Sequence, residues 1–371
     1  MTGLRRKAAI IGALMSDPAS ALNLELKAVG VEEAWFRIEH GHPSIPQQLR
    51  QRLLSVDVAA FMARGAAAGA RVVMPGDSDW PAQLDALQLH SPWALWVQGR
   101  GLDALAEQRS VAIVGARACT RYGERAASEL AAGLAARGLP VISGGAMGID
   151  AAAHRGALAA EGITVAVLAC GIDVAYPREN STLFERIAER GLLVTEAAPG
   201  AHPTRPAFLV RNRLIAALAY GTVVVEARVR SGSISTYCHA RNLNRVLMAV
   251  PGPITSPESG GTHALLQDDA QLVTSADDVA ALVAPLGSVS VDPLARSKTE
   301  WDQLSRDERA VHEALPARAP VSVEAMLASV SPELGMARVF GALALLAERG
   351  LVQEQPSGEW KRVRALRGAE A

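Results

Sequence analysis

Short, almost entirely apolar runs alternate with segments of helical periodicity through the middle of the chain. The apolar runs predict strands at 111–114, 141–143, 164–168, 193–195, 222–225 and 246–250. The segments between them predict helices at 121–137, 150–160, 180–190, 209–219 and 233–243. Strands that are apolar on both faces and joined by helices are typical of a parallel sheet covered on both sides. The pattern therefore predicts an α/β fold, a Rossmann-like, doubly wound, mainly parallel sheet with right-handed crossovers.

The flanking regions have different patterns, and they divide the chain further. Residues 1–75 are rich in Ala and Leu with helical periodicity, which predicts an N-terminal helical domain. Residues 76–284 contain the extended Rossmann-like domain, in which an apolar strand at 93–97 leads into the main sheet, and 285–300 form a polar linker with Pro, Ser and Gly. In 301–371, three helical segments followed by a hairpin pattern predict a C-terminal winged-helix domain.

Composition and charge narrow the class of protein. A length of 371 residues favours two or three domains over a single core. The net charge is −1, so a nucleic-acid site has to be a local basic patch rather than a property of the whole surface. The 3 cysteines form no CxxC pair, which argues against a disulfide framework or a zinc cluster. No run approaches the ~20 apolar residues of a membrane span, so we expect a cytoplasmic protein without a membrane partner.

Polar turns rich in glycine, serine and arginine follow several of the predicted strands. The carboxyl ends of parallel strands meet at one edge of the sheet, where open α/β sheets bind their ligands. Backbone N–H groups in such turns and at helix N-termini bind anions. The sequence therefore predicts a phosphate-binding edge. Its candidate contacts in these turns are Arg117, Ser143, Gly144, Gly145, Ser231, Gly232 and Ser233.

A cation, an aromatic ring and an Arg-Asn-Arg triplet lie close together in the sequence before the strand at 222–225. Arg205 and Phe208 precede Arg211, Asn212 and Arg213, at the start of a helical run. Cations beside an aromatic ring suit an unstacked base, because every base has a π face. Simpler roles stay open at this point. Phe208 is able to fill the core, and a serine of the 231–233 turn is able to cap its helix.

Catalytic and cofactor patterns are weak in this chain. It has no GxGxxG, no GxxxxGK[ST], no GxSxG and no HExxH. Glu196 and Glu226 lie near strand ends without an evident nucleophile. Asp150 and His154 lie four apart on one helix without a third ligand, which favours a structural hydrogen bond over a metal site. We therefore expect binding rather than catalysis, with no catalytic residue, metal or cofactor.

An ordered set of motifs between residues 75 and 284 resembles the DNA processing protein A family, also called DprA or Smf. The motifs are Gly115-Ala116-Arg117, Ser143-Gly144-Gly145-Ala146-Met147-Gly148-Ile149-Asp150, Gly171-Ile172-Asp173, Tyr176-Pro177-Arg178-Glu179-Asn180, Arg211-Asn212-Arg213, Ser231-Gly232-Ser233 and Pro251-Gly252-Pro253. As an ordered set they are highly specific. The first 75 residues would then be a SAM-like or helix-hairpin-helix-like domain, although Gly12 and Gly30 stand isolated. The tail resembles the winged helix that many members carry.

The resemblance implies a single-stranded DNA-binding protein of natural transformation. Members protect incoming single strands, load RecA recombinase, form homodimers through the Rossmann-like domain, and are not known as enzymes. The DNA contacts of the family fall here on Arg117, Arg205, Phe208 and the Arg211–Arg213 triplet. One departure is Leu209, which stands where the family often has proline.

Two other functions remain as alternatives. The first is a Rossmann-like nucleotide-binding hydrolase of the lysine-decarboxylase-like phosphoribohydrolase type, but the 230–236 turn lacks the paired glycines and the glutamate of PGGxGTxxE. Release of a free base from a nucleotide would support it. The second is a protein-interaction module without DNA affinity. In the tail, Arg338, Lys361, Arg362 and Arg364 suit duplex DNA, and a role in protein contacts alone is equally compatible.

Overall fold

The structure is a computed structural model that describes residues 3–15, 17–102, 105, 109–283, 303–316, 319–330 and 334–363. The chain divides into two compact units, Met1–Ser290 and Val291–Ala371. The linker predicted at 285–300 and the basic residue Arg364 lie outside the described residues. The boundary predicted at residue 75 lies inside the first unit and stays a prediction.

Helices occupy the start of the first unit. They are Gly3–Leu14 (α1), Ala21–Val29 (α2), Val31–His40 (α3), Gln47–Leu54 (α4) and Val58–Ala67 (α5). Their buried apolar residues include Ile11, Leu26 and Ile38, which share one cluster with Trp93. The Trp93 indole N–H also donates to the Asn23 side chain at 2.8 Å. These helices therefore pack against the segment that leads into the sheet.

A sheet of nine strands forms the centre of the described part of the first unit. The strands are Arg71–Val73 (β1), Leu95–Gly99 (β2), Val111–Val114 (β3), Val141–Ser143 (β4), Thr164–Val167 (β5), Leu192–Thr195 (β6), Gly221–Val224 (β7), Val246–Ala249 (β8) and Gln271–Leu272 (β9). Their order is β1-β2-β6-β5-β4-β3-β7-β8-β9. The neighbouring pairs from β6 to β9 are parallel, whereas the β1–β2 and β2–β6 pairs are antiparallel, so β2 alone runs against the other strands of this sheet. The prediction of a mainly parallel α/β sheet is confirmed.

Helices cover both faces of this sheet. They are Arg121–Ala135 (α6), Ile149–Ala159 (α7), Ser181–Arg190 (α8), Arg205–Leu218 (α9), Gly232–Asn242 (α10), Gly260–Asp268 (α11) and Ala276–Val283 (α12). Val111 and Ile113 share a cluster with Leu134 of α6, whereas Ala112 shares one with Leu218 of α9. Alternate residues of β3 thus pack on opposite faces, as the two-sided apolar pattern predicts. Among the described residues, no helix has both the length and the apolar character needed to cross a bilayer.

The second unit contains helices followed by a two-stranded hairpin. The helices are Arg306–Ala314 (α13), Val323–Ser329 (α14) and Met336–Glu348 (α15), and the strands are Val352–Glu354 (β10) and Trp360–Arg362 (β11). Ser305 and Glu308 form a capping box at the start of α13. Val311, Met326 and Leu343 belong to a separate core of this unit. The elements follow the predicted order, and the winged-helix assignment stays a prediction.

Candidate nucleic-acid interface

The order of the strands reverses between β3 and β7. From β3 the chain builds β4, β5 and β6 on one side, and it then returns to β7 on the other. Such a switch point leaves a crevice at the carboxyl ends of the strands. Here the crevice is a cleft with a volume of ≈ 980 Å³. Of the predicted contact residues, those that line it are Arg117, Arg205, Phe208, Arg211, Asn212, Ser231, Gly232 and Ser233.

Close backbone packing fixes the first turn at the floor of the cleft. The Ala116 N–H donates to the Glu226 carbonyl at 2.7 Å, which ties the turn after β3 to the end of β7. A Cβ at Gly115 would lie 2.6 Å from Ile149 Cγ1 and 2.9 Å from the Glu226 carbonyl oxygen. Gly148 has φ +77°, and a Cβ there would lie 2.3 Å from the Ala116 oxygen. Glycine is therefore required at both positions.

Phe208 lies on the wall of the cleft beside two guanidinium groups. The Arg117 guanidinium carbon is 4.6 Å from the centre of the Phe208 ring, and that of Arg211 is 5.9 Å away. Tyr176, which also lines the cleft, has its ring centre 5.9 Å from that of Phe208. Phe208 is half-buried and Arg117 is exposed. The ring is thus part of a cationic and aromatic surface, and it does not fill the core.

Arg211 supports the second turn from behind. Its Nη1 donates to the Gly144 carbonyl at 2.6 Å and also to the Val167 carbonyl. Burial lowers the pKa of the Arg211 guanidinium to about 10, so it remains charged at neutral pH. Asp150 accepts from the backbone N–H groups of Gly144 and Ala146 at 3.2 and 3.3 Å, and burial raises its pKa despite the positive charge of Arg211. The pair therefore holds the glycine turn in shape.

The remaining predicted contacts do not line the cleft. The Ser143 hydroxyl donates to the Ile113 carbonyl at 2.6 Å, and Gly144 and Gly145 are buried behind the cleft wall. Arg213 is 5% exposed and pairs with Glu196 at 2.5 Å, at a small pocket that Trp93 also lines. The geometry therefore gives these residues structural partners, and their contact with DNA stays a prediction.

Asp150 and His154 do not form the predicted hydrogen bond, so that hypothesis is wrong. The His154 Nδ1 lies 2.7 Å from the Thr164 hydroxyl, which itself donates to the Val141 carbonyl at 3.0 Å. The hydroxyl hydrogen is thus in use, so His154 Nδ1 has to be the donor. Burial lowers the pKa of His154 to about 3. The histidine is a neutral core residue.

The start of α10 forms the opposite wall of the cleft. The Ser231 side chain caps the helix by accepting from Ser233 N, and the two hydroxyl oxygens are 2.8 Å apart. The Asn212 side chain donates to the Gly232 carbonyl at 3.3 Å, which links α9 to this turn. The simple capping role is therefore present, and the same hydroxyls face the cleft.

Some cleft residues were absent from the predicted set. Those with polar or aromatic side chains include Arg228, Arg230, Thr236, Tyr176 and Glu258. Arg228 Nε donates to a Glu258 carboxylate oxygen at 2.7 Å, although 30 residues separate the two in sequence. The turn at 231–233 was predicted to bind, and Arg228 and Arg230 come just before it, so the sequence already pointed to these two arginines. No local sequence pattern indicated Glu258.

The glutamates near the strand ends have structural partners. Glu226 accepts from Thr120 N at 2.8 Å and from the Thr120 hydroxyl at 2.6 Å, at the start of α6. Glu196 accepts from Arg213. Among the residues that the structure describes, no group of three His, Cys, Asp or Glu side chains has an arrangement suited to a metal ion.

Comparison with known proteins gives the family. Residues 71–284 match the sequence model of DNA recombination-mediator protein A, which is more than half of the chain. The chain belongs to this family. A candidate DNA processing protein DprA of Mycobacterium tuberculosis is 42% identical over 382 aligned residues, which cover 98% of this chain and 95% of that protein. The resemblance to DNA processing protein A is confirmed.

Solved structures of the recombination-mediator protein A family share the fold. DNA processing protein A from Streptococcus pneumoniae matches with a TM-score of 0.66 and 32% identity, over 76% of this chain and 98% of that one. DNA processing protein A from Helicobacter pylori, described for its unique single-stranded DNA binding mode, matches with a TM-score of 0.51 and 30% identity. The match covers 57% of this chain and 95% of that one.

Proposed function

We propose that this chain binds single-stranded DNA in the cleft between β3 and β7, as a recombination mediator of natural transformation. The observation that carries the proposal is the cluster of Arg117, Arg205 and Arg230 with the Phe208 ring in one open cleft. Membership of the recombination-mediator family supports it, as does the similarity to a structure described for its single-stranded DNA binding.

Each part of the cleft has a physical role in this proposal. The exposed guanidinium groups of Arg117, Arg205 and Arg230 neutralise phosphates along the strand. Arg211 adds buried positive charge behind them. A base stacks on Phe208, which is worth about 1–3 kcal/mol. Arg117 lies over that ring in the free protein, so its guanidinium has to leave the ring face that the base takes.

Binding rather than catalysis is part of the proposal. Asp150 and Glu258 are the acidic residues among the described lining of the cleft. Asp150 accepts backbone N–H groups, and Glu258 pairs with Arg228. Both carboxylates therefore have structural partners instead of a nucleophile to activate. This arrangement does not favour the phosphoribohydrolase alternative.

A titration of a labelled oligo-dT strand tests the site. Arg117→Ala should weaken binding about tenfold or more, because a charge-assisted contact is lost. The salt dependence should become shallower by about 0.7 in log–log slope for each phosphate contact removed. Arg125→Ala is the matched control, since this exposed arginine of α6 pairs with Glu129 and does not line the cleft. Equal affinity of Arg117→Ala and the parent at moderate salt would refute the site.

The proposal extends to RecA loading, strand protection in the cytoplasm and a homodimer through the Rossmann-like unit. The resemblance of the motifs supports these finer parts. RecA loading is tested by RecA-dependent strand exchange on DNA covered by a single-strand binding protein, with the parent chain and Arg117→Ala compared. Stimulation by the parent and its loss in the variant would support loading. A parent that binds the strand without stimulating exchange would refute loading and leave the DNA site intact.

A further inference from the structure

The loop that follows β5 presents an aromatic ring to the cleft. Tyr176 belongs to this loop, lines the cleft and is 44% exposed. Its ring centre lies 5.9 Å from that of Phe208, and the two ring planes are tilted by 50°. Leu209, which is 51% exposed, lines the same cleft. Apolar side chains grouped in this way mark a binding surface more often than scattered single ones do.

The turn at 143–148 fixes the positions of both rings. Asn180, at the far end of the Tyr176 loop, is 3% exposed, and its side-chain amide donates to two carbonyl groups of this turn at 3.0 and 3.2 Å. Arg211, on the same helix as Phe208, donates to a third carbonyl of the turn at 2.6 Å. The two rings are therefore held in place by one common element.

The near end of the loop is also fixed. The Val174 N–H donates to the Gly171 carbonyl at 2.9 Å, and Asp173 accepts from the Gly200 N–H at 2.6 Å. Because the loop is held at both ends, the tyrosine ring is in place before a ligand binds. Binding to it then costs little conformational entropy.

The two rings differ in the cations that lie beside them. The guanidinium groups of Arg117 and Arg211 lie 4.6 and 5.9 Å from the centre of the Phe208 ring. In the part of the chain that the structure describes, no lysine or arginine makes such a contact with Tyr176. A base on Phe208 has to displace a guanidinium group, whereas a base on Tyr176 displaces only water. Stacking on Tyr176 therefore carries no loss of a cation–π contact.

The tilt between the rings makes them two separate surfaces. A flat base that lies parallel to one ring is tilted by 50° from the other, so it cannot stack on both. Consecutive bases of a single strand are able to unstack and adopt different orientations. Bases in a duplex are stacked on each other and have to be unpaired before they offer a free face. A pair of tilted rings therefore suits two neighbouring bases of a single strand.

We propose that Tyr176 is a second stacking platform, and that the cleft holds two neighbouring bases of one strand, one on Phe208 and one on Tyr176. This proposal rests on the proposed function, because it needs a single strand in the cleft. Stacking uses the π face that all bases share, so Tyr176 adds affinity without a preference for a particular base.

Binding to two strands of equal length separates stacking from phosphate contacts. One strand is labelled oligo-dT, and the other carries abasic deoxyribose at every position, so both offer the same phosphates. Tyr176→Leu keeps an apolar side chain but removes the π face. We expect it to weaken oligo-dT binding by about fivefold or more, and to change binding of the abasic strand by less than about twofold. Tyr176→Trp should bind oligo-dT at least as tightly as the parent.

A double variant shows whether Tyr176 acts through Phe208. If Tyr176 takes a base of its own, Tyr176→Leu should weaken oligo-dT binding by about fivefold in a Phe208→Leu background as well. No further loss in that background would overturn the second platform, because Tyr176 would then only hold Phe208 in position.

Phe36→Leu is the matched control. Phe36 is 54% exposed, its ring centre lies 4.1 Å from that of His40, and it does not line the cleft. If Tyr176→Leu binds oligo-dT as tightly as Phe36→Leu, the second platform is wrong, and weaker binding by Arg117→Ala in the same assay leaves the proposed function standing. Equal losses on the two strands would also overturn the platform, since they indicate a change in the shape of the cleft. A parent chain that binds neither strand would refute both proposals.

Discussion

Arg117 and Arg211 approach the same aromatic ring from different environments. Arg117 is exposed and contacts the ring of Phe208, whereas Arg211 is 5% exposed and donates to backbone carbonyls. Burial of a charge is tolerated only with good partners, and Asp150 and the carbonyl oxygens provide them. At the residue scale, the proposed function therefore gives direct DNA contact to Arg117, and Arg211 mainly maintains the shape of the site.

Replacing Arg211 should cost folding stability. Arg211→Met leaves the Asp150 carboxylate buried without its cation, so we expect unfolding to become easier by about 3–5 kcal/mol. Urea denaturation followed by circular dichroism measures this. Arg205→Met, at an exposed cleft position, should stay within about 0.5 kcal/mol of the parent. Equal stability of the two variants would contradict the supporting role of Arg211.

His154 should make the first unit sensitive to mild acid. Burial lowers its pKa from 6.5 to about 3, so below pH 6.5 the unfolded chain takes up a proton that the native state excludes. The stability that the neutral His154 side chain contributes is therefore complete above pH 6.5 and is lost as the pH falls. We expect the free energy of unfolding to drop by about 2 kcal/mol between pH 7 and pH 5.

Denaturant titrations at several pH values check this dependence. The His154→Leu variant should lose the loss of stability at low pH. The His40→Leu variant, which is changed at an exposed position, should keep it. A parent and a His154→Leu variant with parallel pH profiles would show that the histidine does not titrate in this way.

At the scale of elements, the turns between strands and helices set the shape of the cleft. Gly148 begins α7 with a positive φ directly over the first turn. Gly148→Ala should destabilise the protein by about 2–4 kcal/mol, through backbone strain and the clash with the Ala116 carbonyl. Thermal unfolding measures the effect. The control is Gly232→Ala, where a Cβ meets nothing within 4 Å, and stability should be unchanged or slightly higher.

The sequence predicted the inner strands well because they are apolar on both faces. β1 and β9 were missed, since runs of 3 and 2 residues are too short to show a period. Helix α9 begins at Arg205 rather than at the predicted 209. The Thr204 side chain caps it and Pro206 lies in its first turn, and both signals are visible in the sequence.

The candidate site was predictable in part. The turns that follow parallel strands meet at one edge of the sheet, so Arg117 and Ser231 were predicted to lie near each other, and both line the cleft. The prediction grouped Arg211 with Arg213, although residues two apart on a helix point about 200° from each other. Arg211 and Arg213 therefore face different surroundings, one toward Gly144 and the other toward Glu196. Contacts such as Arg228 with Glu258 depend on the tertiary fold, and no local pattern indicates them.

At the scale of the whole molecule, the proposed DNA cleft lies entirely within the first unit. A chain ending at residue 290 should therefore bind a short oligo-dT strand within about threefold of the full chain, because its phosphate contacts are intact. Fluorescence anisotropy at a fixed salt concentration measures this. If shortening the chain abolishes binding while the fragment remains folded, the second unit contributes to the site and the cleft alone is insufficient.

The contact of Arg117 with Phe208 makes binding an exchange rather than a simple addition. A base that takes the ring replaces a cation–π contact of about 0.5–2 kcal/mol with a stacking contact of about 1–3 kcal/mol. The net gain from the ring is small and similar for all bases, and the displaced guanidinium becomes available to a phosphate. Most of the affinity then comes from counterions that the strand releases. The fraction of clefts that hold DNA would then depend on strand length and ionic strength, and hardly on base sequence. A protein that takes up DNA of any origin needs this behaviour.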